Sequence, residues 1–246
     1  YVTYGEDGFV EKSQFLQHEI SAVIVDTDFA ALDCPPRYIA SGIADAMAKM
    51  PEFTFTMLRL GTAGQTATSN LATITGNYTY SLFLRKATQA MEDLKNGQVT
   101  LAVDDILCAC IMLTGMVSDL STGGRPLAIA HNFYDAVCGL RKDVRANFLH
   151  GELVGLAIPL QMYVIGNTCA EIDEFKNLMR ALGVPTTLEE VGIQNDGAQW
   201  EELIEGTYRK TVDDDPELLE QIREGFAVMA AGSMDELKAA MVKKQG

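Results

Sequence analysis

From about residue 66 to the C-terminus, apolar residues recur at helical spacing in one stretch after another, and that periodicity leaves little choice of architecture. The stretches are "NYTYSLFLRKATQAMEDL", "VTLAVDDILCACIMLTGMVSDL", "PLAIAHNFYDAVCGL", "GELVGLAIPLQMYVIGN", "CAEIDEFKNLMRALG", "TLEEVG", "QWEELIEGTYRKT", "PELLEQIREGFAVMAAG" and "MDELKAAMVKK". "KNGQ", "STGGRP", "GVPT" and "VDDDP" punctuate them as turns. Such a chain is mainly α, a helical bundle. The stretches holding Cys108 and His131 are apolar nearly all round, which predicts central, buried helices. The segment after about residue 185 is more acidic and amphipathic and reads as the outer layer of the same bundle.

The front of the chain differs. "YVTY", a "GEDG" turn, "FVEKSQFL" and "SAVIVD" predict a short N-terminal β segment, the last of them a buried strand. "DCPPRYIASGIADAMAKM" then sets two prolines where a helix can begin. Residues 1–30 are therefore read as the β segment and residues 31–246 as the α-helical domain.

Thirty-four acidic residues against 19 basic give a net charge of −15, which repels phosphate backbones and anionic membrane surfaces alike. Neither nucleic acid nor a membrane is an expected partner. The start carries neither a basic head nor the apolar run of a signal peptide, so a cytoplasmic location is expected. Cys34, Cys108, Cys110, Cys138 and Cys169 form no C-x-x-C pair and read as reduced thiols. Cys108 and Cys110 would point about 200° apart on a helix, too far for a shared metal.

Two of the three histidines fall on neighbouring apolar stretches, in "IAHNFYDAV" and "FLHGELVGL". Taken singly, His131 reads as a hydrogen-bonded core residue and His150 as a polar helix start. Taken together they call for a third ligand, because an open catalytic metal site takes three protein donors and leaves a position for substrate. Asp45 is the candidate: it is the one carboxylate among the small and apolar residues of "SGIADAMAKM", and a buried charge there needs a cation.

"SAVIVDTDFAALDCPPRYIASGIADAMAK", "ILCACIMLTGMVSD", "AIAHNFYDAV" and "FLHGELVGLAIPLQ", in this order, resemble the metal-binding half of the iron-containing alcohol dehydrogenase superfamily, most of all its glycerol dehydrogenase branch. The resemblance spans nearly the whole chain, and "G-I-x-D-A" and "H-G-E-x-V" are its specific parts. It implies the helical C-terminal domain shared with dehydroquinate synthase. It further implies that Asp45, His131 and His150 are both the metal ligands and the catalytic set. The cofactors implied are a divalent metal (zinc or iron, with nickel also suited to two imidazoles and a carboxylate) and NAD or NADP. The implied substrate is a small polyol or alcohol with a secondary hydroxyl, and the implied assembly a homo-oligomer.

Departures from the pattern narrow the branch. Four-donor relatives carry a histidine one turn after the aspartate, where this chain has Lys49; glycerol dehydrogenases commonly have a second histidine where it has Tyr134, for which Tyr134 or Asp135 could substitute. "IAHNFYDA" does not match the "G-H-x-x-G-H" of dehydroquinate synthases. Glu152 is expected to sit near the metal as a supporting charge rather than a ligand. A glycerol-1-phosphate dehydrogenase is the alternative, with Arg125, Arg141, Lys142 and Arg145 as candidate phosphate contacts, although basic residues beside a turn are more simply solvated. A non-catalytic metal-binding module is a further alternative. No G-x-G-x-x-G follows a strand, and "TGGRP" reads as an entry to the His131 helix. The N-terminal nucleotide-binding domain of the family is thus expected to be absent from these residues, and the fragment alone inactive.

Overall fold

The computed structural model describes residues 2–4, 10–13, 22–121, 128–194, 197–209 and 215–245. Two short strands, β1 (Val2–Tyr4) and β2 (Val10–Ser13), pair antiparallel. Helices α1 (Thr27–Asp33) and α2 (Pro36–Leu60) follow, then a 3-10 turn at Gly61–Gly64 and the 29-residue α3 (Ala67–Lys95). Next come α4 (Leu101–Cys108), one π turn (Ala109–Leu113) and α5 (Thr114–Leu120), which together make one continuous helical run. The remaining elements are α6 (Ile129–Leu140), α7 (Lys142–Asn147), α8 (His150–Val164), α9 (Cys169–Leu182), a 3-10 turn (Glu189–Val191), α10 (Ala198–Tyr208), α11 (Pro216–Ala230) and α12 (Met234–Gln245). The expected helical bundle with a short β front is what forms.

Helix α8 is the axis of the bundle. Its residues Gly151 to Met162 are all buried, as its unbroken apolar sequence requires. Helices α2, α6, α9 and α11 pack around it, with α10 laid on α6 and α11, so the acidic C-terminal part is the outer layer. Phe133, Phe226 and Trp200 meet edge to face across these layers, with ring centroids 5.8 and 5.5 Å apart. Prolines start α2 as read from the sequence, Pro35 flanking the helix and Pro36 opening it. That helix then runs through Pro51 to Leu60, beyond the point where a proline is expected to stop it.

Two expectations are corrected. Residues 22–26 of "SAVIVD" are not a strand: no ladder partner reaches them among the described residues, and Val23 and Ile24 are exposed. The Cys108 run is not buried all round. Leu101–Leu120 has the length and apolar content of a membrane span, yet only a third of its most apolar window is buried. It packs mainly on α3 and leaves Leu101, Ile111, Met112 and Met116 exposed, so its apolar composition overstates its burial. The "TGGRP" segment, Arg125 and most of "VDDDP" lie outside the described residues.

Candidate metal centre

Asp45, His131 and His150 come together although α2, α6 and α8 each contribute only one of them. The crossing of α2 and α8 is set by small residues: a Cβ on Gly151 would fall 2.0 Å from the Ser41 carbonyl oxygen, and one on Gly155 2.8 Å from the Ala44 Cβ. Backbone contact at Ser41 and Gly151 carries Asp45, one turn further along α2, beside His150, the first residue of α8. His131 enters from the first turn of α6. Its Nε2 is 3.2 Å from Asp45 Oδ1, and the Nε2 of His150 is 3.3 Å from the same oxygen. The two imidazole centroids are 5.3 Å apart.

The donor atoms of these three residues all lie within 4.8 Å of one another, and theirs is the one such cluster of histidine, cysteine and carboxylate groups among the described residues. Asp45 Oδ1 is buried yet accepts no hydrogen bond of good geometry. A cation shared by three converging lone pairs answers that unsatisfied oxygen, and the donor set suits zinc, iron or nickel. The side chains stay between a quarter and somewhat over a third exposed, which leaves one face open. Burial alone would raise the Asp45 carboxyl, but the two adjacent imidazoles outweigh it and hold it well below the usual carboxylate range.

Glu52, which the sequence reading missed, lies seven residues after Asp45 on the same face of α2 and is 1% exposed. Its Oε1 is 2.6 Å from His131 Nδ1 and accepts the His131 backbone N–H at 3.2 Å. It therefore serves α6 in place of a capping side chain, with its charge at the positive end of that helix. Burial lowers the His131 imidazole, but Glu52 and Asp45 reverse the sign and raise it to about 9. On the other side of the site, the ring of Tyr134 stands edge-on to His150 at 4.3 Å.

The other sequence candidates take structural roles. The Tyr134 hydroxyl accepts from Arg145 Nε at 3.0 Å, and burial raises it above its ordinary value. Asp135 is half-buried on α6, one turn after His131. Lys49 sets a positive charge near His131 in place of a fourth donor. Glu152 does not face the three donors: it is gripped by Arg37 at 2.6 and 2.7 Å and accepts the Leu149 N–H at 2.8 Å. Arg141 pairs with Asp143 and the Gly192 carbonyl, and Arg145 with Tyr134 and the Phe148 carbonyl. Cys110, on the π turn, is pushed up to about 12 by burial and by the charge of Asp45, which disfavours its thiolate. A cavity of about 490 Å³, bounded by Met50, Pro51, Thr54 and Tyr80, opens on the opposite face of α2 and contains none of the three donors.

No protein-family profile matches the sequence. Among characterised relatives, the glycolaldehyde reductase of Halobacterium salinarum is 30% identical, in an alignment covering 79% of this chain and 52% of that protein. A glycerol dehydrogenase of Thermotoga maritima is 26% identical over 94% of this chain and 62% of its own length. The chain thus spans about half the length of the curated relatives it matches. In fold it superposes on a probable glycerol dehydrogenase from Sinorhizobium meliloti with a TM-score of 0.75 at 24% identity, covering 93% of this chain and 65% of that one. With dehydrogenases and a reductase as its sequence relatives and the fold of a glycerol dehydrogenase, the chain is similar over most of its length to part of the iron-containing alcohol dehydrogenase superfamily.

Proposed function

We propose that this chain is the metal- and substrate-binding half of an NAD(P)-dependent alcohol or polyol dehydrogenase of the glycerol dehydrogenase kind, cytoplasmic and homo-oligomeric. Asp45, His131 and His150 hold the divalent metal, zinc or iron in the first instance, and the dinucleotide contacts are assigned to sequence beyond these 246 residues. Residues 1–30 then belong to the join between the two halves and residues 31–246 to the metal domain.

The observation that carries the reading is the convergence of two Nε2 atoms on a buried carboxylate oxygen that lacks a hydrogen bond. A divalent cation held there would supply Lewis acidity to a substrate hydroxyl and so favour hydride loss from its carbon. This chain's own residues do the rest. Asp45 and the imidazoles present three donors on a fixed frame and leave one side open to substrate. His131 and His150 both stand in the first turn of a helix, so the positive ends of α6 and α8 favour negative charge on a bound oxygen. The Tyr134 ring, 3% exposed, excludes water behind His150.

Metal analysis of the purified chain tests the reading: one zinc, iron or nickel per chain is expected, lost in Asp45→Ala. A folded chain with no metal and no affinity for one would overturn it. Titration with NAD(H) tests the division into halves: no tight binding by these residues alone is expected, and submicromolar affinity contradicts it.

A further inference from the structure

We infer that Glu52 is a positioning residue that locks the His131 ring in the Nδ1–H form and so keeps the Nε2 lone pair on the metal side. The inference rests on the metal reading above, but its evidence is separate. A carboxylate can only accept, so the 2.6 Å contact requires a proton on Nδ1. The opposite nitrogen, 3.2 Å from Asp45 Oδ1, is then the one free to bind a cation. His131 thus lies between two carboxylates, and the shorter contact decides which ring nitrogen keeps the proton.

Two further observations set Glu52 apart from an ordinary cap. Its side chain is 1% exposed, and its ion-pair partner is His131; its second oxygen has no hydrogen-bond partner. A buried carboxylate so placed is costly unless positive charge is close by. With Asp45, it supplies the two negative charges that neutralise one divalent cation. The contrast with His150 is direct: the Nδ1 of that ring is buried and has no partner, so no equivalent lock exists there. Ring partners of this kind fix the tautomer and raise the basicity of the ligand, and losing one typically costs about 10–100-fold in metal affinity.

Glu52→Gln keeps an oxygen that accepts both His131 N–H groups and removes only the charge, whereas Glu52→Leu removes the acceptor itself. The readouts are zinc affinity by chelator competition and the His131 tautomer from two-bond 1H–15N spectra, recorded on metal-free protein at pH 10. The native chain is expected to show Nδ1–H. Glu52→Leu is expected to release the Nδ1 proton toward Nε2 and weaken zinc about 10–100-fold, and Glu52→Gln to hold the native tautomer and lose less. Glu52→Asp, which draws the carboxylate one methylene back from His131, is expected to fold and to weaken zinc by more than about threefold; it carries the test if the leucine variant does not fold. A Glu52→Leu protein, or a Glu52→Asp protein where the leucine variant is unfolded, that keeps both the native tautomer and a zinc affinity within about threefold of native overturns the inference. A native chain that shows Nδ1–H but binds no zinc, iron or nickel overturns the metal reading and leaves the ring lock standing.

Discussion

Gly151 meets Ser41 so closely that an added Cβ would lie 2.0 Å from the Ser41 carbonyl oxygen. Both atoms belong to helix backbone, so neither helix can yield without shifting along its whole length. Gly151→Ala is therefore expected to cost about 1–3 kcal/mol or more, by the measure of overpacked cores. Gly155→Ala, which meets the Ala44 methyl at 2.8 Å, should cost less. Gly42, on α2 with open space around its Cβ position, is the control: alanine there should stabilise by up to about 1 kcal/mol through helix propensity. Urea unfolding of the three variants checks the order, and a Gly151→Ala protein as stable as native would refute the contact.

Metal binding should appear as stability. A ligand that binds only the folded state adds about 2.7 kcal/mol at 100 times its Kd, so added zinc should raise the melting temperature of the metal-free chain. Asp45→Asn keeps the volume and removes the charge that collects both imidazoles. Its melting temperature is expected not to respond to zinc. His150→Ala, which removes one donor and no part of the Glu52 contact, should behave in the same way. A zinc response equal to native in either variant would show that the metal binds elsewhere.

The helices were legible in the sequence from apolar period and proline at a helix start, and the grouping of Asp45, His131 and His150 from a carboxylate and two imidazoles in apolar runs taken with the family resemblance. What escaped depends on neighbours. Glu52 sits beyond Pro51, where a helix is ordinarily expected to end, yet α2 continues through the proline to Leu60 and keeps Glu52 on the Asp45 face. A spacing of seven between two carboxylates was the available signal. Glu152 was legible as a charge beside His150, but its Arg37 partner lies 115 residues away. The apolar content of residues 101–120 reports composition only, and how much of such a helix is covered depends on what packs against it.

Arg37 should matter more through Glu152 than by its own exposure suggests. The guanidinium grips both Glu152 oxygens and the Asn147 carbonyl, joining the start of α2 to the start of α8. Arg37→Ala leaves a 3%-exposed carboxylate with only the Leu149 N–H. Breaking a fully buried pair costs about 3–5 kcal/mol, and because Arg37 is half exposed we expect about 1–3 kcal/mol. Arg37→Lys should recover only part of it, since an ammonium cannot make the two-pronged contact. A double-mutant cycle with Glu152→Gln is the measurement, and strictly additive effects would deny the coupling.

Lys176 gives the fold a pH dependence of its own. Its ammonium is 1% exposed and donates to the Val228 carbonyl at 2.7 Å and to that of Ala231, at the C-terminal end of α11. Burial lowers it to about 8, with Arg180 acting in the same sense and Asp173, Glu190 and Glu236 opposing. Below pH 8 the folded and unfolded chains both hold the proton, and the cost of burying the charge is constant. Between pH 8 and about 10.5 the unfolded chain keeps a proton that the folded one has shed, so this group makes stability rise with pH. The rise amounts to about 3 kcal/mol at 1.36 kcal/mol per pH unit. Tyr80 and Tyr163 act oppositely, because their raised hydroxyls make the folded chain the one that keeps the proton at high pH. The comparison must therefore be with Lys176→Met, whose stability, relative to native, should fall as pH climbs from 8 to 10.5. Parallel pH profiles for the two proteins would mean that Lys176 keeps an ordinary affinity for its proton despite its burial.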